Sequence, residues 1–223
     1  MYGTTDQHPH GEDIIFYLTV YNEAFNQPAE PENVDVEGLL KGAYVYRKAT
    51  NEGEPARIMA SGVAVPWALR AQEILAADYG VAADVWSVTS WNELARDAVA
   101  AEQWNLNNPG EYSRVPYITQ KLMDSNAVTV AVSDYMRAVP DQIARWVPGA
   151  WQSLGADGFG FADTRAAARR KFQIDAESIV VSVLQTLAQR GSVAPETVRD
   201  AFNRFRIDDP TAVAGVKQEG GDA

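Results

Sequence analysis

The chain has no cysteine and only two histidines, His8 and His10, among its 223 residues. Disulfides, thiolate nucleophiles and cysteine-ligated metals are thereby excluded, and little imidazole is left for serine-type nucleophilic catalysis. Basic residues are also scarce: 19 Lys and Arg stand against 30 Asp and Glu, a formal net charge of −11. A surface of that sign does not bind nucleic acid through a broad basic face. No apolar run is long enough to span a bilayer, and no charged-then-apolar leader opens the chain, so no membrane partner is expected and the cytoplasm is the expected compartment. The common nucleotide and nucleophile signatures are missing as well. The sequence has no Gly-x-x-x-x-Gly-Lys-Ser/Thr, no Gly-x-Gly-x-x-Gly after a strand and no Gly-x-Ser-x-Gly.

What is present is material for a core. Hydrophobic residues make up 46% of the chain, with six Trp, nine Tyr and seven Phe, enough for one large domain or one and a half. The first thirteen residues are polar. They hold both histidines around Pro9, and a solvated turn accounts for them better than a metal site. Ile14 to Val20 reads as a buried strand. From Asn26 to Gly38 prolines and acids leave almost nothing to bury, which predicts an extended linker. Residues 1–25 are therefore expected to finish one domain, residues 26–38 to connect, and a second domain to fill 39–208. A disordered tail is expected over 209–223.

The second region alternates between strand and helix patterns, and no internal repeat is found in it. Gly42 to Lys48 suits an edge strand, Arg57 to Gly62 a second strand, and Pro66 opens a helix that Gly80 ends. Asp84 to Thr89 is a third strand, followed by the Ser90-x-x-Glu93 of a capping box and an Ala-rich helix to about Gln103. After a short helix near Pro116 to Met123, Ala127 to Val132 is apolar throughout and predicts a strand buried on both sides. Met136 to Trp146 has a helical pattern that Pro140 starts or kinks. Three helices close the region: Ala166 to Phe172, one with Val180, Val183, Leu184 and Leu187 on its core face, and one with Val198, Ala201, Phe202 and Phe205. This alternation predicts an α/β domain of three layers with a mostly parallel sheet, whose sites form at the carboxyl ends of the strands.

One stretch stands at such an end. Trp151 to Leu154 closes a strand, Gly155, Gly158 and Gly160 allow a tight turn in which Phe159 or Phe161 packs, and Asp163 is the expected N-cap of the following helix. Asp157, Gly158, Phe159, Gly160 and Asp163 are thus the candidate residues of a structural turn at a site entrance. Asp84, Asp134 and Asp157 near strand ends could serve in metal binding or acid-base work, but each also has a capping role open to it. No catalytic, cofactor-binding or metal-binding residue is assigned.

Several ordered blocks carry a resemblance. Phe16-Tyr17-Leu18-Thr19-Val20-Tyr21-Asn22-Glu23, the block Asp84 to Asp97, Arg114-Val115-Pro116-Tyr117-Ile118, Ser133-Asp134-Tyr135-Met136-Arg137 and Asp157 to Arg165 together resemble the carboxyl-terminal part of the homodimeric first component of the bacterial pyruvate dehydrogenase complex. Trp86, Trp91 and Ala138-Val139-Pro140 make the actinobacterial version the most similar. The resemblance covers residues 1 to about 208. It implies a transketolase C-terminal-like domain preceded by the last strand of a truncated pyrimidine-binding domain. It further implies a homodimeric oxidoreductase that decarboxylates pyruvate on thiamine diphosphate with magnesium and acetylates the lipoyl group of dihydrolipoyl acetyltransferase. In that family the full chain is several times longer. Its Gly-Asp-Gly cofactor signature is not reproduced by Ala156-Asp157-Gly158, so this segment alone is expected to bind no cofactor and to be structural, with the upstream domains of the same enzyme as partners. A free-standing, non-catalytic binding or dimerisation domain of the same type is the alternative.

Overall fold

A computed structural model describes residues 27–213; the expected strand at Ile14 to Val20 and both histidines lie outside these residues. The elements are α1 (Val36–Lys41), β1 (Ala43–Arg47), β2 (Glu54–Ala60), α2 (Val65–Tyr79), β3 (Val81–Val88), α3 (Trp91–Asn107), α4 (Tyr117–Leu122), β4 (Val128–Val132), α5 (Ala138–Asp141), β5 (Trp151–Leu154), α6 (Arg165–Lys171), α7 (Ala176–Gln189) and α8 (Pro195–Phe205). The strands form one sheet in the order β1-β3-β2-β4-β5. β2 pairs parallel with β3 on one side and β4 on the other, β5 extends the sheet in parallel, and β1 is an antiparallel edge.

Two apolar clusters, one on each face of the sheet, make three layers. On one face Ile58, Val85, Val128, Val130 and Val132 pack against α2, α7 and α8 through Leu75, Ile179, Val183, Leu184 and Val198. On the other, Met59, Trp86 and Ala131 meet Trp91 and Leu94 of α3 and Ile118 of α4. The alternation follows from the pleat, which sends successive side chains to opposite faces. β4 is buried at every position, as a strand covered by helices on both sides must be.

Local chemistry sets the element ends. Pro66 lies in the first turn of α2, where its missing N–H costs nothing. Ser90 Oγ accepts from Glu93 N at 3.1 Å and starts α3. The reciprocal half of the capping box is replaced, because Ser90 N donates to Gly42 O and the Glu93 carboxylate pairs with Arg96.

Several expectations need correction. The last three residues of the expected linker already belong to α1, since Asp35 accepts from Gly38 N and caps it. Met136 to Trp146 is no continuous helix: Pro140 has no N–H to give, and the segment breaks into one turn of α5 and a 3₁₀ turn at Ala144–Trp146. Helix α3 runs on to Asn107. Phe202 stays partly exposed on α8. The first residues of the expected tail form a 3₁₀ turn at Pro210–Val213, where Asp209 accepts from Thr211 N, and the remainder lies outside the described residues.

Two buried arginines hold loops to this frame. Arg57, 4% exposed, donates to Leu122 O at 2.9 Å, Pro148 O at 3.2 Å, Ala127 O at 3.4 Å, Thr129 Oγ1 at 3.4 Å and Ser125 O. Burial pushes its guanidinium below the ordinary arginine value. Arg170 pairs with Asp175, the N-cap of α7, and donates to the carbonyls of Phe205 and Arg206 at the end of α8. Arg57→Leu strips several buried carbonyls of their donor at once. We expect a loss of about 3 kcal/mol in urea unfolding, since each unsatisfied buried acceptor costs about 1–3 kcal/mol and some relaxation is available.

Tyr117 supplies a pH-dependent check. Its hydroxyl donates to Ala43 O at 3.1 Å, and burial, with the Asp35 and Glu37 charges adding, pushes the phenol up to about 12. The folded value lies above the ordinary phenol value of about 10. Its contribution to stability is therefore whole below that value and is lost as pH rises through 12. Alkaline absorbance titration should show a tyrosine that ionises last, together with unfolding, and Tyr117→Phe should remove that step.

Candidate site at the carboxyl ends of the strands

β2, β3, β4 and β5 run the same way, so Ala60, Val88, Val132 and Leu154 end along one edge of the sheet. The chain leaves β2 towards β3 and leaves β4 towards β5, which makes the β2/β4 junction the topological switch point where sheets of this kind open a crevice. Serines stand on both sides of it. Ser61 N donates to Val132 O at 3.2 Å, and Ser61 Oγ accepts from Trp91 Nε1 at 3.1 Å. Ser133 N donates to Leu154 O at 3.3 Å, and its Oγ is buried without a partner among the described residues. The first of these bonds carries the β2/β4 pairing one residue past the strands, and the bond from Ser133 does the same for β4 and β5.

The glycine stretch begins where β5 stops. Ala156 N donates to Tyr135 O at 2.9 Å, and a Cβ at Gly155 would stand 2.4 Å from that same oxygen, so the two loops approach too closely for any side chain there. Asp157 then binds the facing loop twice: Oδ1 accepts from Arg137 N at 2.8 Å and Oδ2 from Arg137 Nε at 2.6 Å. These bonds, the backbone one first, hold the Asp157 carboxyl below the ordinary carboxylate range. Its pairing is complete above about pH 4 and is lost on acidification through the lowered folded value.

Beyond Asp157 the expected arrangement changes. Gly158 has φ +83, a conformation that favours glycine, but Gly160 has no such angle and a Cβ on it would meet nothing within 4 Å. Phe159 is 98% exposed and Phe161 40% exposed, so neither packs inward as expected: the turn points away from the core that the helices have already filled. The N-cap is Thr164, whose Oγ1 accepts from Ala167 N at 3.3 Å, and not Asp163, which accepts from Thr164 N one residue too early. Both residues are cap formers, and only the helix start at Arg165 decides between them.

The other candidates separate from this stretch. Asp84 lies inside β3, not at its end, and accepts from Ala49 N at 2.8 Å and Lys48 Nζ at 3.0 Å, fastening the loop after β1. Asp134 follows β4, beside the Tyr135 to Arg137 loop. Sequence reasoning missed Arg137. The available signal was an Asp and an Arg, each just past the end of one of two neighbouring parallel strands.

Chemically, the assembled residues offer aromatic faces and one saturated ion pair. No group of three or more His, Asp or Glu side chains among the described residues is placed to hold a metal ion. Both Asp157 oxygens are occupied by Arg137, which makes it a poor ligand for a hydrated magnesium ion.

An open, five-stranded, mostly parallel sheet covered by helices on both faces, with an antiparallel edge, defines a doubly wound α/β domain. Residues 42–175 match the model of the transketolase-like TK C-terminal domain, and the chain belongs to that family. It is 56% identical over 214 residues to the pyruvate dehydrogenase E1 component of Mycolicibacterium smegmatis, covering 94% of this chain and 23% of that enzyme. The Mycobacterium tuberculosis E1 component is 55% identical over 202 residues, covering 90% of this chain and 22% of that enzyme. The chain thus spans less than a quarter of the length of the curated relatives it matches. Among solved structures, transketolase from Leishmania mexicana aligns with 71% of this chain and 20% of its own, at 22% identity and a TM-score of 0.44.

The cap assignment is testable by thermal or urea unfolding. Thr164→Ala should cost about 1 kcal/mol, within the usual range for a lost N-cap, while Asp163→Ala should cost less than half of that. Gly158→Ala should be the more costly glycine substitution and Gly160→Ala close to neutral.

Proposed function

We propose that this chain is the carboxyl-terminal portion of a pyruvate dehydrogenase first component and that it serves structure and assembly there. The observation that carries the reading is the 56% identity over 214 residues to an actinobacterial E1 component. On this reading the whole enzyme is a cytoplasmic homodimer that decarboxylates pyruvate and passes the acetyl group to the lipoyl arm of dihydrolipoyl acetyltransferase. Thiamine diphosphate with magnesium supplies the electron sink for that decarboxylation. The described residues do not fit the group, since Asp157 is saturated by Arg137 and no other cluster of ligands is present. The reading therefore assigns cofactor binding to the upstream domains, in line with the missing Gly-Asp-Gly signature at Ala156-Asp157-Gly158. Residues 1–25 close the last of those domains, the segment before α1 leads out of it, and the loop from Asp157 to Asp163 shapes part of the entrance.

Two measurements test the proposal. Calorimetric titration of the 223-residue chain with thiamine diphosphate and magnesium should give no saturable heat, and micromolar binding would overturn the assignment of the cofactor to upstream sequence. In the whole enzyme, Asp157→Asn should leave pyruvate turnover within a few-fold. A drop of about a hundredfold, the scale of a lost general acid or base, with dimerisation and melting temperature unchanged, would make Asp157 a participant in the chemistry.

A further inference from the structure

Asp157 is the only aspartate of the sequence that is followed by glycine, and no asparagine is. Every other aspartate precedes a residue whose side chain crowds the backbone nitrogen next to it. Glycine leaves that nitrogen unhindered. Residues 157–164 are all exposed and belong to no helix or strand. Within this run Gly158 N has no acceptor among the described residues. Gly158 also stands in open space, with nothing within 4 Å of the place a Cβ would take. A side-chain carboxyl and an unbonded, uncrowded amide one peptide further on are the two reactants of an internal condensation.

We propose that Asp157-Gly158 is the site at which this chain converts to isoaspartate, and that Arg137 restrains the conversion. The inference concerns the chain itself and holds whatever enzyme the chain belongs to. In the first step the Gly158 nitrogen attacks Asp157 Cγ: the N–Cγ bond forms, the amide proton is lost, and one carboxyl oxygen leaves as water. In the second step a water molecule opens the five-membered imide. Opening at Cγ restores aspartate. Opening at the main-chain carbonyl leaves the backbone running through Cβ and Cγ, with the carboxylate on Cα. One water leaves and one returns, so neither mass nor oxidation state changes. Arg137 opposes the first step in two ways. Water departs from the protonated carboxyl far more readily than from the carboxylate, and the bonds from Arg137 favour the ionised form. Both carboxyl oxygens are also engaged, Oδ1 by Arg137 N at 2.8 Å and Oδ2 by Arg137 Nε at 2.6 Å, so the departure of either one breaks a bond between the loops. Once converted, the loop carries an extra backbone carbon and its carboxylate no longer stands where Arg137 binds it.

The test compares the chain with its Arg137→Ala variant after several weeks of warm incubation at neutral pH. Trypsin releases the same peptide, Trp146 to Arg165, from both. Electron-transfer fragmentation distinguishes isoaspartate from aspartate in it and assigns the change to Asp157 or Asp163, and the synthetic peptide serves as the unfolded reference. In the wild-type chain isoaspartate should appear at Asp157 before any other aspartate of the digest, and more slowly than in the free peptide. Arg137→Ala should raise the rate at Asp157 about two- to fivefold, the factor that corresponds to an exposed ion pair. An unchanged rate in the variant overturns the inference, as does isoaspartate that builds up first at another aspartate or a wild-type rate equal to that of the free peptide. Circular dichroism establishes that the variant is folded. If it is not, the wild-type chain in about 1 M sodium chloride makes the same comparison, because salt screens an exposed pair. A faster conversion there supports the role of Arg137, and an unchanged one overturns it.

Discussion

The domain depends on β2 being paired on both sides at once. From Ala56 to Ala60 each residue has a parallel neighbour on β3 and another on β4, so no backbone group of this stretch is left to water. That double pairing forces the chain to wind outward in two directions, which puts helices on both faces and brings the ends of β2 and β4 together at the switch point. Arg57 sits in the same strand, and its guanidinium binds the loops that lead into β4 and β5. A side chain at the centre of the sheet thus fixes loops at the margin. At the carboxyl edge, backbone bonds from Ser61 and Ser133 extend the pairing past the strand ends.

The blocks that carry the family resemblance acquire a physical meaning when placed in space. Asp97, at the end of one block, accepts from Tyr117 N in another at 2.6 Å. Arg137, ending a third, is bound by Asp157, which begins a fourth. Segments remote in sequence thus hold one another through these blocks.

Much of the fold was legible because local rules and tertiary packing agree at the same positions. The all-apolar run at β4 reads as a doubly covered strand and is one. Ser90 reads as a cap and caps. Legibility failed where a rule names a residue type but not its surroundings. Asp163 and Thr164 satisfy the same capping preference, and the choice turns on a single residue of helix phase. The pattern around Phe159 predicts a turn but says nothing of whether it faces the core or the solvent, because that depends on how the helices fill the interior. Asp84 was misplaced since a strand can begin at Val81 on small residues that carry no strong β signal. For the candidate site, the loop was visible as a glycine cluster, whereas its partner Arg137 belongs to another loop and no spacing within the chain connects them.

The separation of the paired strands along the sequence has a consequence for synthesis. Arg57 and Thr129, neighbours across the β2–β4 pair, are 72 residues apart, and α7, which covers that pair, comes later still. Pairings of such long sequence separation form slowly, since the loop must close before any contact rewards it. A growing chain on the ribosome therefore holds β2 with one edge open until β4 has emerged, and the face of β4 that packs on α7 stays bare until that helix follows. During this interval the nascent domain is a target for chaperones and a nucleus for mispairing. Changes that slow translation between these elements would lower the yield of folded protein without altering a single contact in the finished molecule.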